Sequence, residues 1–246
     1  MGKSNETYDK YWQSGSHVTL EWTKDFFNES AGPLIGKKRV LDYGCGLGYS
    51  YQRQLSQSVK EYLAADVSIV ALKDAESKGF QTVKIADNGT VDLPDGTCDG
   101  AVCSEVFEHL WDPLAAAKEL NRILSPGGVL MVTVPNFGYL AWRFLAFLRA
   151  QVPLEPESKE NRYRGVHIRF FSQLMLIRLL RDAGFREIKI YGWCGGSIWD
   201  VFIATGKFSI ITTWAHRFLP SALHFTFLAR IWPNVFAQRL RAVAVK

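Results

Sequence analysis

From Lys38 onward, short apolar runs alternate with turns marked by glycine or proline and with stretches whose apolar positions recur every three to four residues. The runs predict strands at 39–43, 61–65, 82–85, 100–104 and 129–134, with two more at 186–191 and 239–245. Between them the spacing predicts helices. One spans 49–58. A second runs from an N-cap at Ser68 to Lys78, where Gly79 stops it. A third opens at Asp112-Pro113 and closes at Ser125-Pro-Gly-Gly128, and an amphipathic helix over 171–182 ends at Gly184. Alternating strands and helices with apolar strands predict a doubly wound, mostly parallel α/β sheet covered on both faces.

The ends of the chain break this rhythm. An aromatic and charged opening, Tyr8-Asp-Lys-Tyr-Trp12, leads into a helical run to about Glu29. After Pro135-Asn136 comes an insertion over 137–170, with an apolar helix at 139–149 and a polar, proline-containing loop at 153–164. Residues 197–236 predict two apolar helices separated by Pro220. The expected organisation is a single domain over 1–246: an N-terminal lid over 1–30, a binding core over 38–136, and helical caps from 137–170 and 197–236.

The candidate chemistry gathers where the first strand ends. Val40-Leu-Asp-Tyr-Gly-Cys-Gly-Leu-Gly48 places glycines at 44, 46 and 48 between a strand and a helix, where a tight turn lets a ligand approach the main chain. The spacing is G-x-G-x-G, not the dinucleotide G-x-G-x-x-G. Asp42 ends the first strand, Asp66 the second, and Asp87 follows the third. A parallel sheet brings all three to its carboxyl edge, with Asp66 about where an acid that grips ribose hydroxyls belongs.

Charge changes the picture further. Residues 1–137 carry 13 Lys/Arg against 18 Asp/Glu, a net of −5, whereas residues 138–246 carry 16 against 6, a net of +10. A nucleotide phosphate would call for basic groups near the glycine loop. The acidic half instead suits a cationic ligand such as S-adenosylmethionine (SAM), and the opposite sign of the other half points to a second, different ligand. Cys45, Cys98, Cys103 and Cys194 form no C-x-x-C pair, which leaves neither a zinc ribbon nor a dithiol site, and a reducing cytoplasm is expected. No apolar stretch reaches the length of a membrane span. Apolar helices carrying arginines nevertheless fit peripheral contact with the inner membrane face.

These residues resemble the class I SAM-dependent methyltransferase superfamily, of the methyltransferase type 11/12 kind. Asp42-x-Gly-x-Gly-x-Gly48 is similar to its first motif, Asp66 to its ribose-binding acid and Asp87-Asn88 to its adenine-side pair. Asp99-Gly-Ala-Val-Cys-Ser-Glu-Val-Phe-Glu-His-Leu-Trp-Asp-Pro113 resembles the segment after its fourth strand. The resemblance implies a Rossmann-like sheet of seven strands with the last antiparallel. It implies SAM contacts from Asp42, Tyr43, Gly44, Gly46, Gly48, Asp66, Val67, Asp87, Asn88, Ser104 and Glu105. Tyr8-Asp-Lys-Tyr-Trp12, Pro135-Asn-Phe-Gly138 and His167-Ile-Arg-Phe-Phe171 are similar to bacterial enzymes that act with surface polysaccharides or lipid-linked glycans, so a saccharide or lipid-linked glycan acceptor is expected. Pro135-Asn-Phe-Gly138 also resembles the methionine-biosynthesis protein MetW, which leaves a non-catalytic partner as a rival reading.

Methyl transfer needs an acceptor held in line with the methyl carbon, and a hydroxyl acceptor must also lose its proton. His109, just after the fourth strand, is the expected base, with His167 as the alternative. Glu105-Val-Phe-Glu-His109 is similar to a segment of the ubiquinone-biosynthesis O-methyltransferases, which place a divalent metal there. A helix would put residues 105, 108 and 109 on one face. Metal-free relatives share the pattern, so no metal site is assigned. Tyr11 and Trp12 are expected to close over the cofactor, and His167 and Arg169 to line the acceptor pocket. A small-molecule methyltransferase of quinone or natural-product type stays open beside the glycan reading. A nucleic-acid acceptor is disfavoured, because no N-P-P-Y-like motif is present.

Overall fold

A computed structural model of the chain describes residues 4–13, 31–48, 55–149, 167–194 and 225–246. Seven strands form one sheet in the order β3-β2-β1-β4-β5-β7-β6. In chain order they are β1 (Arg39–Tyr43), β2 (Glu61–Asp66), β3 (Gln81–Lys84), β4 (Cys98–Ser104), β5 (Leu124–Pro135), β6 (Arg186–Trp193) and β7 (Arg239–Val245). The first five pair in parallel, and β7 runs antiparallel to both β5 and β6. The Rossmann-like sheet with its antiparallel last strand matches the expectation.

Alternation along the strands divides the core. Leu41, Tyr43, Leu63, Ala101, Leu130 and Val132 point to one face, under Ala117, Leu120 and Ile123 of α3 (Pro113–Ile123) and Leu176 and Leu180 of α5 (Gln173–Asp182). Val40, Tyr62, Ala64, Val102 and Met131 point to the other face, where Ala75 of α2 (Ile69–Ser77) covers them. Truncating a side chain such as Leu130, which is fully buried, costs about 2–5 kcal/mol.

The helix starts follow their caps. Ser68 accepts from Ala71 N at 3.3 Å, Asp112 from Ala115 N at 2.9 Å, and Ser172 from Met175 N at 3.4 Å. Each cap also fixes a helix that leaves the carboxyl edge of the sheet. Several boundaries differ from expectation, most of all in β4 and β5. Strand β4 starts at Cys98, and β5 reaches back to Leu124. Its pairing then jumps from Cys98↔Leu124 to Gly100↔Val129, so residues 125–128 bulge out of the ladder, where Gly127 takes φ +76°.

Pro135-Asn136 ends β5 as a latch. Asn136 Nδ2 donates to the carbonyls of Pro233, Asn234 and Ala237, and Asn136 Oδ1 accepts from Gly138 N at 2.9 Å. A Cβ on Gly138 would lie 2.3 Å from the Asn234 carbonyl oxygen, so only glycine fits. The latch holds α4 (Leu140–Arg149) and the pair α6 (Phe225–Ile231) and α7 (Pro233–Phe236) at the same edge. The N-terminal helix, α1 (Ser4–Gln13), packs on α2. Most of the predicted 49–58 helix, the loop at 153–164 and the helices in 197–224 lie outside the described residues, as does the run from 14 to 29.

Candidate active site

The glycine loop is stitched to the end of β2. Gly44 N and Cys45 N both donate to the Ala65 carbonyl, at 2.8 and 2.9 Å. Gly46 N donates to Asp66 Oδ2 at 2.9 Å, and Ser68 N to Asp66 Oδ1 at 2.8 Å. Gly44, Gly46 and Gly48 sit at φ +80°, +52° and +75°, a region that strains any residue with a Cβ. Two of them are also approached closely. A Cβ on Gly44 would lie 2.4 Å from a Val106 methyl, and one on Gly46 2.7 Å from the Trp12 ring.

Trp12 therefore lies directly on the loop, and α1 is held there by its own acid. Asp9 Oδ1 accepts from Ser68 Oγ at 2.5 Å and from Val70 N at 3.3 Å. Helical spacing puts Tyr8 on the same side of α1 as Trp12. The Tyr8 phenol is pushed up to about 12 by burial first, then by the carboxylates of Asp66 and Glu108. Tyr8 thus stands between the ribose-side acid and the segment after β4. Tyr11, expected as part of the lid, is 37% exposed and meets Trp12 edge to face at 4.9 Å.

Two acids lie beneath this surface. Asp42 is buried and accepts from the Tyr62 hydroxyl at 2.5 Å; burial raises its pKa to about 7 against the lowering effect of that bond. Asp66 is also buried and is shifted upward by burial, which its backbone hydrogen bonds partly offset. The remaining residues expected to contact the cofactor are held as follows. The Tyr43 side chain lies in the core and its hydroxyl donates to the Gly89 carbonyl at 2.8 Å. Ser104 Oγ shares a 2.7 Å bond with Thr133 Oγ1 inside the sheet. Val67 accepts from Lys84 Nζ through its carbonyl. Asp87 and Asn88 form an exposed turn after β3, where Asn88 Oδ1 accepts from Thr90 N and Thr90 Oγ1.

After β4 the chain does not form the helix that would align residues 105, 108 and 109. Glu105 takes φ +54°, and only Phe107–His109 makes a single 3-10 turn. Glu105 Oε2 accepts from Arg239 Nε at 2.9 Å. The group that joins Glu108 and His109 comes instead from the insertion. Ile168 N and Arg169 N both donate to the Glu108 carbonyl, at 3.0 and 3.1 Å. Arg169 then donates through its guanidinium to the Leu110 and Trp111 carbonyls, so it anchors the loop. His167 is brought beside His109, with ring centroids 4.7 Å apart. The Glu108 side chain is 1% exposed, and its Oε1 lies 3.9 Å from His109 Nε2 and 3.8 Å from His167 Nε2. Burial lowers the pKa of His167, opposed by Glu105 and assisted by Arg239. One ligand-capable atom from each of Glu108, His109 and His167 falls within 4.8 Å of the others. Glu108 enters the sequence reading only through the Glu-x-x-Glu-His pattern, and Arg239 and Tyr8 were not expected in the site. The helical phase shared by Tyr8 and Trp12 is the one signal for them that the sequence carries.

A sequence profile described as a methyltransferase domain matches residues 15–190. The chain belongs to this methyltransferase family. A probable SAM-dependent methyltransferase of Mycobacterium tuberculosis is 29% identical over 162 residues, 65% of this chain and 53% of that protein. The chain spans about half the length of such mycobacterial relatives. The ubiquinone biosynthesis O-methyltransferase of Aromatoleum aromaticum is 25% identical over 215 residues, covering 82% of this chain and 88% of its own. Among solved structures, a SAM-dependent methyltransferase from Archaeoglobus fulgidus superposes with a TM-score of 0.60 at 19% identity, over 98% of this chain and 99% of the other, which speaks for the fold. The loop fits the donor that the mycobacterial and archaeal proteins carry in their names. Gly44 and Gly46 leave no room for a Cβ, and the carboxyl groups of Asp42 and Asp66 beside them have the sign that a sulfonium requires.

Proposed function

We propose that the chain transfers a methyl group from SAM to a hydroxyl of a saccharide or lipid-linked glycan, and that the His109–His167 pair over Glu108 takes the acceptor's proton. The observation that carries this reading is the meeting of two imidazoles and one buried carboxylate at the sheet edge that bears the glycine loop. SAM supplies a methyl carbon already activated by a sulfonium that leaves as a neutral thioether.

The residues of this chain do the rest. The Gly44–Gly48 backbone and Asp66 hold the donor, and Asp87-Asn88 flank its adenine side. Tyr8 and Trp12 of α1 cover the loop and keep water from it. The imidazole of His167 or His109 accepts the hydroxyl proton as oxygen bonds to the methyl carbon, and Glu108 stabilises the imidazolium that results. Turnover of SAM with lipid-linked glycan fractions tests the reading. His109→Ala and His167→Ala are expected to lower kcat by about 10²–10⁴-fold while leaving SAM affinity intact. Near-normal rates in both variants overturn the base assignment.

One observation favours a second reading. The donor atoms of Glu108, His109 and His167 are close enough to share a divalent cation, and relatives that cover most of this chain are ubiquinone biosynthesis O-methyltransferases. The acceptor is then a small phenol whose hydroxyl the cation acidifies. Loss of activity with a chelator and its return with one added metal select this reading; indifference to the chelator removes it.

A further inference from the structure

Fourteen large hydrophobic side chains are exposed among the described residues, and ten of them occur at Trp111, in α4, in 168–175 or at Ile231-Trp232. All four segments hang from the same edge of the sheet. Trp111 follows β4, α4 follows the Asn136 latch of β5, Phe171 bridges to Asn136, and Ile231-Trp232 precede the carbonyls that the latch holds. The edge is the one that carries the candidate active site, and Trp111, 84% exposed, stands two residues from His109.

Helix α4 shows what this surface is built for. Trp142 turns inward against Phe137 and Tyr139, at centroid distances of 5.7 and 6.4 Å. Leu140, Phe144 and Phe147, spaced i, i+4, i+7, form a second stripe that points away from the protein, and Phe147 is 83% exposed. Large apolar side chains exposed on one helix leave a surface that water covers poorly.

The charge of these segments identifies what covers them. Residues 137–149, 168–175 and 225–232 contain four arginines and no lysine, aspartate or glutamate, and Asp112 adjoins Trp111. Arg143 and Arg230 are exposed beside the apolar stripe and Ile231-Trp232. A second copy of the chain docked on the same face would bring arginine against arginine. A nucleic acid would stack on the aromatic members but leave Leu140, Ile168, Leu174 and Ile231 uncovered, whereas hydrocarbon chains cover both kinds. We propose that this face docks on the surface of an anionic lipid bilayer, with Phe144, Phe147 and Trp232 entering the interface and the arginines reaching the headgroup phosphates. The mouth of the active site then opens toward the membrane. Among the described residues no helix is long and apolar enough to cross one, so the contact is peripheral.

The contact is read without turnover, so it stands or falls independently of the proposed reaction. The purified chain is sedimented with vesicles of phosphatidylcholine alone, or with about one third phosphatidylglycerol, at low and high salt. Binding to the anionic vesicles is expected to exceed that to neutral ones by at least roughly tenfold at low salt and to fall as salt screens the headgroups. Phe144→Ser combined with Phe147→Ser is expected to weaken it by a further factor of about ten or more, with SAM affinity and the melting temperature as controls on folding. Equally poor binding to both vesicles at low salt overturns the proposal. So does unchanged binding by the double variant, displacement of the anionic vesicles by RNA at equal charge, or a dimer in solution that the double variant splits.

Discussion

Replacing Asp66 separates its hold on the glycine loop from the ribose-binding role proposed for it. Its carboxylate accepts from Gly46 N and Ser68 N, and it is 5% exposed. Alanine removes both bonds and leaves two buried amides without an acceptor. Each bond to a charged group is worth about 1.5–3 kcal/mol, and burial already opposes the ionised form, so the net loss of stability is about 2–4 kcal/mol. Asparagine keeps one of the two acceptor oxygens and loses the other together with the charge, so Asp66→Asn is expected to fold and to lose less stability than the alanine variant. Both variants lose the charge-assisted bonds to the ribose hydroxyls, which weakens SAM binding by about 1–3 kcal/mol, or roughly 5- to 150-fold in Kd. Urea denaturation reads the first quantity and titration calorimetry the second. A folded Asp66→Asn protein that binds SAM as tightly as the wild type refutes the role given to this acid.

Three other outcomes are expected. Asp42 titrates near pH 7 because it is buried, so a cationic donor binds more tightly as pH rises through about 7 and the acid ionises; calorimetry from pH 6 to 8 should show this slope, and Asp42→Asn should flatten it. The same shift has the opposite sign for folding. The native state holds the proton that the unfolded chain releases near 4, so this group's contribution to stability declines as pH rises from about 4 to 7, and melting temperatures of wild type and Asp42→Asn should diverge over that window. Gly46→Ala forces φ +52° on a residue with a Cβ and drives it into Trp12, so it should cost about 1–2 kcal/mol and loosen α1, read as faster proteolysis near residue 12; a variant as stable and as resistant as wild type contradicts the packing of α1 on the loop.

The parallel core was legible because each buried strand is a short apolar run and each turn carries its own chemistry. The glycine loop, the acids at the ends of β1 and β2 and the caps of α2 and α3 all stand where local rules put them. The active-site cluster was not legible in the same way. His167 meets His109 because two amides of the insertion bond to the Glu108 carbonyl, a contact between segments that no periodicity links. Glu105-x-x-Glu108-His109 misleads as a helical face because Glu105 adopts φ +54° and pairs with Arg239 of β7. Tyr43 follows the strand's alternation into the core, so its place beside the loop in sequence says little about where its ring goes.

The most direct test of the account follows a labelled methyl group. The purified chain, with no partner added, is incubated with SAM tritiated in its methyl group and an extract of lipid-linked glycans, and the lipid phase is counted. Wild type is expected to move label into that phase, and His109→Ala with His167→Ala to lose roughly 10²-fold or more of the rate while binding SAM as before. SAM that binds to the wild-type chain but gives no label to any fraction, even with a divalent metal restored, contradicts the account and leaves the domain as a binding module.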